Sequence, residues 1–176
     1  MKRVIVVPYD ESWKAEFERI KEELLAVLID YAMAIEHVGS TSVPELYAKP
    51  IIDVDIVIDE KMFDTIKAQL GDIGYTHIGD LGVEGREAFK YENKPHLLEH
   101  HLYVCNKNAD ELERHLALRN FLRSNGEYRN KYSELKIKLA KMYPYDIDSY
   151  INGKQSLILE IYEKCGLDIP YKQSKE

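Results

Sequence analysis

The stretch GSTSVPELYAKPIIDVDIVI, Gly39 to Ile58, decides how this chain is read. Pro50 opens an extended segment in which Ile52, Val54, Ile56 and Ile58 alternate with Asp53 and Asp55. In a strand, alternate side chains share a face, so the aliphatic residues point into a core and the two aspartates point together the other way. Their Cα atoms then lie about 6.6–7 Å apart, close enough for both carboxylates to converge on divalent cations. Mg2+, or Mn2+ in its place, suits such hard oxygen donors, which leave room for waters and phosphates. A half-solvated strand face would account for the aspartates just as well taken alone. The turn before them tips the balance. Gly39-Ser40-Thr41-Ser42 leaves a strand and offers free backbone N–H groups and hydroxyls to an anion. An anion cradle followed by paired acids suits a triphosphate with bound metal, and the stretch is not a P-loop, which requires G-x-x-x-x-G-K-[ST].

Working outward, Asp10 precedes a helix in which Trp13, Phe17, Ile20, Leu24, Val27 and Tyr31 form one apolar stripe. Ile35–Val38 reads as a short strand ending at Gly39, and residues 60–70 as a helix closed by Gly71 and Gly74. A strand at 75–79 is followed by antiparallel strands at 84–91 and 97–105. From there the chain is helical. Asn108 and Glu111 have the spacing of a capping box opening a helix to Ser124. Further helices cover 127–142, ended by Pro144, and 146–165. The expected class is α+β: a mixed-sheet core over 1–106 with flanking helices, and a C-terminal helical lobe over 107–176, packed as one unit. Residues 172–176 read as a loose tail.

Composition narrows the function classes. The chain has 176 residues and a formal net charge of −7, which argues against general nucleic-acid or membrane-surface binding. No apolar run is long enough to span a bilayer and the N-terminus lacks a signal-peptide core, so a cytoplasmic protein with no membrane partner is expected. Cys105 and Cys165 match no metal or redox spacing and read as reduced structural thiols.

The segment HVGSTSVPELYAKPIIDVDIVI resembles the GrpB family, a branch of the nucleotidyltransferase superfamily. GREAFKY, EHHLYV, ERHLALRNFLR, YSELK and YINGK extend the likeness over nearly the whole chain. The resemblance implies a nucleotidyltransferase-like mixed β-sheet core with C-terminal helices, Mg2+ at Asp53 and Asp55, and nucleotide phosphates at Gly39 and Ser40. The chain departs from the family in carrying Glu45 where a glycine is usual. Active nucleotidyltransferases also carry a third carboxylate on a later strand. Here that strand reads Glu99-His100-His101-Leu102-Tyr103, with a histidine in the acid's place and Glu99 as a substitute.

Further candidates surround this pair. Arg86 and Lys90 share a strand face that could hold phosphate or simply be solvated. His101 shares a face with Glu99 and could act as a general base, since an imidazole titrates near neutrality. A zinc site from His96, Glu99, His100 and His101 conflicts with strand geometry. His115, Arg119 and Arg123 form a basic column on one helix, the first two assigned to phosphate and Arg123 to a solvated face. Tyr150 and Lys154, one turn apart, suit a base and a phosphate, or a core position and an exposed one. Lys49, extended before Pro50, points at the acids or pairs with one. The expected function is binding of an NTP–Mg complex with nucleotidyl transfer to a small-molecule acceptor. The alternatives are a catalytically degenerate nucleotide-binding or regulatory module and an interaction domain without ligand. Substituting one aspartate is expected to weaken metal-dependent binding without unfolding the chain, and even to raise stability if the two carboxylates repel.

Overall fold

A computed structural model of the chain describes residues 2–167; the tail expected at 172–176 lies outside the described residues. Five strands form one sheet: β1 (Ala34–Val38), β2 (Ile52–Ile58), β3 (Tyr75–His77), β4 (Arg86–Tyr91) and β5 (His100–Asn106). Their order is β1-β2-β5-β4-β3. Only β2 and β5 run parallel, and the other neighbours are antiparallel. The helices are α1 (Ser12–Leu28), α2 (Phe63–Asp72), α3 (Asp110–Ser124), α4 (Gly126–Met142) and α5 (Ile147–Lys164). The fold is α+β with a mixed sheet, as the sequence implies.

The pleat of β2 sorts the layers. Ile52, Val54, Ile56 and Ile58 are buried in a core with Trp13, Phe17, Ile20 and Leu24 of α1 and Ile66 and Leu70 of α2. Each such side chain contributes roughly 1.5–3 kcal/mol by leaving water. The opposite face carries Asp53 and Asp55 together with Glu36 of β1 and His101 and Tyr103 of β5, aligned in register. On this face Val57 and Cys105 pack against Leu112 of α3. The loop residues Val43 and Leu46 join Leu122, Tyr132, Leu157 and Ile161 of the three C-terminal helices. The C-terminal helices thus share cores with the sheet and roof its polar face. Both cysteines are free, and Cys105 is buried. No helix among the described residues is long and apolar enough to cross a membrane.

Local differences from the sequence reading have physical causes. Asn108 does not cap α3: Ala109 holds the N-cap position, and the Asn108 N–H donates to the Asn106 side chain. Glu111 is drawn instead to His115, Arg86 and Arg114. The strand expected from residue 97 begins at His100, because Leu97 closes a turn back to Lys94. Asp146 and Asn125 do cap α5 and α4, accepting from the N–H groups of Ser149 and Tyr128.

Candidate functional site

The Gly39 turn is built against Asp53. Gly39 has φ 68° and ψ −173°, a conformation open in practice to glycine alone, and a Cβ there would sit 2.1 Å from Asp53 Oδ2. The two halves of the opening motif are therefore in direct contact. Thr41 and Ser42, expected to offer hydroxyls to an anion, are turned inward instead. Thr41 Oγ1 donates to the Ile51 carbonyl at 3.2 Å, and Ser42 Oγ donates to the Gly39 carbonyl at 2.6 Å. A hydroxyl in a buried turn must satisfy backbone groups that water cannot reach. Arg123, assigned to a solvated face, donates twice to the Ser42 carbonyl, at 3.0 and 2.7 Å, and so pins the same turn.

The two aspartates share a face but not an environment. Asp53 is about 30% exposed in its side chain and accepts from His101 Nδ1 at 2.9 Å. Asp55 has no exposed surface. Its Oδ2 accepts from His115 Nδ1 at 2.6 Å, and its Oδ1 is buried with no hydrogen-bond partner. His115 Nε2 lies 3.3 Å from Glu111 Oε1. Burial opposes charge on this ring, but the hydrogen bonds to Asp55 and Glu111 outweigh it and raise its pKa to about 10. His115 is thus an imidazolium held between two carboxylates. This corrects the expectation that it receives a phosphate.

A cavity of about 260 Å3 opens beside the turn, lined by Gly39, Ser40, Asp53, Arg86, Tyr103 and Lys154, among others. Lys154 of α5 lines this cavity, and Lys136 of α4 reaches Ser40 beside it. Lys136 of α4 is 2% exposed, donates to Ser40 Oγ at 3.0 Å and lies 4.3 Å from the Tyr132 ring centroid. Burial, then the nearby Lys154, depresses its pKa well below the usual lysine value. Lys154 is depressed to about 8 by burial and by Lys49, with Asp53 partly opposing. Burial disfavours the charged form of both amines, so an anion beside the glycine-serine turn would favour their protonation. Lys136 was not singled out from the sequence, although it closes the YSELK motif; its helical spacing from Tyr132 reads equally as a packed stripe.

The remaining candidates divide. Arg86 reaches the cavity, stacked 4.4 Å from the Tyr103 centroid and 3.7 Å from Glu111 Oε1. Arg119 also lines it, but its guanidinium is engaged by Glu36 at 2.7 Å and the His37 carbonyl at 3.0 Å. Lys90 is exposed and lies in a separate depression. Tyr150 is 1% exposed in a core with Val4 and Leu139, so it is a packing residue rather than a platform for a base. Gly153 serves that packing, since a Cβ there would lie 2.4 Å from Leu139 Cδ2. Glu99 lies just before β5 and pairs with Lys2, and neither it nor His101 lines the small cavity. Lys49 and Glu99, with His101, line a second, larger cavity. The four-residue zinc reading fails: His96 pairs with Glu23, and His100 faces the other way, bonded to Tyr75. Among the described residues no cluster of three or more His, Cys, Asp or Glu is arranged to hold a metal.

The two aspartates do not open on one common space. Asp53 presents oxygen to the cavity, and Asp55 retains an orphaned Oδ1, a donor pair of the hard-oxygen type that Mg2+ prefers. Asp55 does not line the cavity, and its other oxygen is committed to His115.

His101 stands opposite Asp53 across the parallel β2–β5 pair, where the motif EHHLYV meets IDVDIVI. The profile described as GrpB protein matches residues 3–164. The chain belongs to the GrpB family. It is 35% identical over 161 residues to UPF0157 protein YqkA of Bacillus subtilis, covering 89% of this chain but 46% of that protein. The chain thus spans about half the length of that relative. The crystal structure of conserved protein GrpB from Enterococcus faecalis superposes with a TM-score of 0.80 at 36% identity, covering 91% of this chain and 96% of that one. The structure of Cid1 in complex with its short product ApU superposes with a TM-score of 0.54 at 11% identity, covering 76% of this chain and 42% of that one. The GrpB-family fold is therefore nucleotidyltransferase-like.

Proposed function

We propose that this chain binds a nucleoside triphosphate by its phosphates in the cavity under the Gly39–Ser40 turn, and transfers the nucleotidyl group to a small-molecule acceptor. The observation that carries this reading is the convergence of buried Lys136 and half-buried Lys154 on Ser40 and Asp53. A cavity of about 260 Å3 is smaller than the roughly 300–1,000 Å3 of sites that enclose a drug-sized ligand, so it suits a phosphate chain with the base projecting outward. Cid1, which shares the fold, has been solved with MgGTP bound. Asp53 and Asp55 Oδ1 would hold Mg2+ or Mn2+, which would stabilise charge on the phosphate oxygens when bound.

The chain's own residues supply the rest. Lys136 and Lys154 neutralise the phosphate tail, and Gly39 lets the turn sit on Asp53 without a Cβ in the way. His101 donates Nδ1–H to Asp53, which leaves Nε2 free to take the acceptor's proton. In this reading the imidazole does the work that the resemblance assigns to a third carboxylate.

One observation favours a second reading. His115 satisfies half of Asp55 without any metal, which suits a nucleotide-binding regulatory module that no longer transfers. Incubation with each NTP and Mg2+, with pyrophosphate and binding measured together, separates the two. Binding with pyrophosphate release supports transfer. Saturable binding with none across a broad acceptor panel supports the module. No binding of any nucleotide, with no thermal shift, removes both; a ligand at a hundredfold its Kd stabilises by about 2.7 kcal/mol.

A further inference from the structure

The larger cavity, about 750 Å3, is a groove between residues 2–5, residues 49–51 and the corner where α4 turns into α5. We infer that this groove, with the helix face beside it, is the contact surface for a second copy of the chain in a two-fold dimer.

Its apolar part is large for a surface that meets only water. Ile5, Tyr145 and Ile147 line the groove, and Ile151, one helical turn beyond Ile147, continues the same face of α5. All four are between 40% and 55% exposed. Pro50 and Ile51 add to the apolar wall. A groove and an apolar ridge side by side on one surface can receive each other when that surface meets its own copy.

Charge selects the partner. The groove carries Lys2, Arg3 and Lys49 against Glu99, Asp146 and Asp148, so the two signs balance. Lys2 and Glu99 pair within the chain. Asp146 caps α5, and its hydrogen bonds with Ser149 favour the ionised form. Arg3, Lys49, Asp146 and Asp148 enter no ion pair among the described residues, which leaves two cations beside two carboxylates. A partner of one sign would meet as much repulsion as attraction there. A second copy turned about a two-fold axis brings the cations of each chain to the carboxylates of the other. The formal net charge of −7 sets two copies against each other in general, and this locally neutral face is where they can approach. A contact of a few apolar side chains and reciprocal ion pairs lies at the small end of protein interfaces, so a dimer of roughly micromolar Kd is expected. His101 lines the same groove, so the contact abuts the candidate site.

Sedimentation equilibrium of the whole chain, at concentrations up to about 200 μM, provides the test. The mass rises with concentration from 20.5 kDa toward twice that value. Ile147→Glu weakens self-association at least tenfold. Ile151→Glu, on the same helix face, does so too should the first variant fold poorly, with thermal melting to identify an unfolded variant. Arg3→Glu and Asp148→Arg each weaken association at least fivefold. The chain carrying both returns to within about twofold of wild type, because a reversed charge on one copy then meets a reversed charge on the other. A wild-type mass that stays at 20.5 kDa throughout overturns the inference and leaves the groove to another occupant. Association that survives both isoleucine variants also overturns it, since the copies then meet through a different face. A double charge variant as weak as its singles overturns the reciprocal pairing on which the choice of a second copy stands.

Discussion

Asp55 Oδ2 and His115 Nδ1 lie 2.6 Å apart, joining β2 to α3 across sixty residues of sequence. Each is the other's counter-charge in a buried site. Removing His115 leaves Asp55 a buried charge without a partner, so His115→Ala costs about 3–5 kcal/mol in urea unfolding; Asp55→Asn also destabilises but costs less, because Glu111 stays beside His115. This reverses the expectation that losing one of two crowded carboxylates would stabilise the fold. Combining both substitutions costs less than the sum of the singles, because no charge is then left alone.

Asp53 behaves differently because it is partly solvated. Asp53→Asn changes stability by less than about 1 kcal/mol, as for other exposed pairs. In titration calorimetry it abolishes the Mg2+-dependent part of nucleotide binding. A stability loss as large as that of Asp55→Asn would show that the two aspartates play the same structural part.

Gly39→Ala probes the contact between turn and strand. Its φ of 68° and the 2.1 Å approach to Asp53 leave a methyl group no space. The expected loss is about 2–3 kcal/mol in chemical denaturation, together with lost nucleotide affinity. A variant that unfolds at the wild-type midpoint would show that the turn yields freely.

Lys136→Met replaces a buried amine by an apolar chain of similar length. The free protein gains about 1 kcal/mol, since a desolvated polar group is removed, while affinity for a nucleoside triphosphate falls roughly 10–100-fold. Differential scanning fluorimetry with and without the nucleotide reads both. Lys154 adds a pH signature. Its pKa of about 8 means that it is charged below that pH and neutral above it, so triphosphate affinity declines above pH 8, by at most about tenfold per unit. Lys154→Met flattens that limb.

Acid stability turns on His37, which stacks on Phe17 at 4.7 Å and lies 3.0 Å from Thr41 Oγ1. Burial depresses its pKa to about 4, with smaller effects from neighbouring charges. The unfolded chain binds this proton near pH 6.5 and the folded one only near 4, so the contribution is present above 6.5 and lost as pH falls to 4. It amounts to about 3 kcal/mol. His100, also depressed by burial, acts in the same direction. His37→Gln reduces the slope of unfolding free energy against pH between 4 and 6.5.

The sequence by itself determined the strand β2 and which of its residues share a face. Strict alternation of aliphatic and acidic residues admits one register against a core, and a glycine-serine turn ahead of it needs no tertiary information to be recognised. The sequence likewise placed α4 and α5 to within a residue or two, and found α1 with its stripe carried to Tyr31, three residues beyond Leu28, because a buried stripe repeats at the helical period. The partner of each charge was decided only by the tertiary structure. Nothing local says that Asp55 meets a histidine from α3, that Arg123 closes on the Ser42 carbonyl, or that Lys136 reaches Ser40. Those contacts arise because three helices fold back over the polar face of the sheet, and burial in that layer, not residue type, leaves one aspartate partly solvated and makes the other half of a closed ion pair.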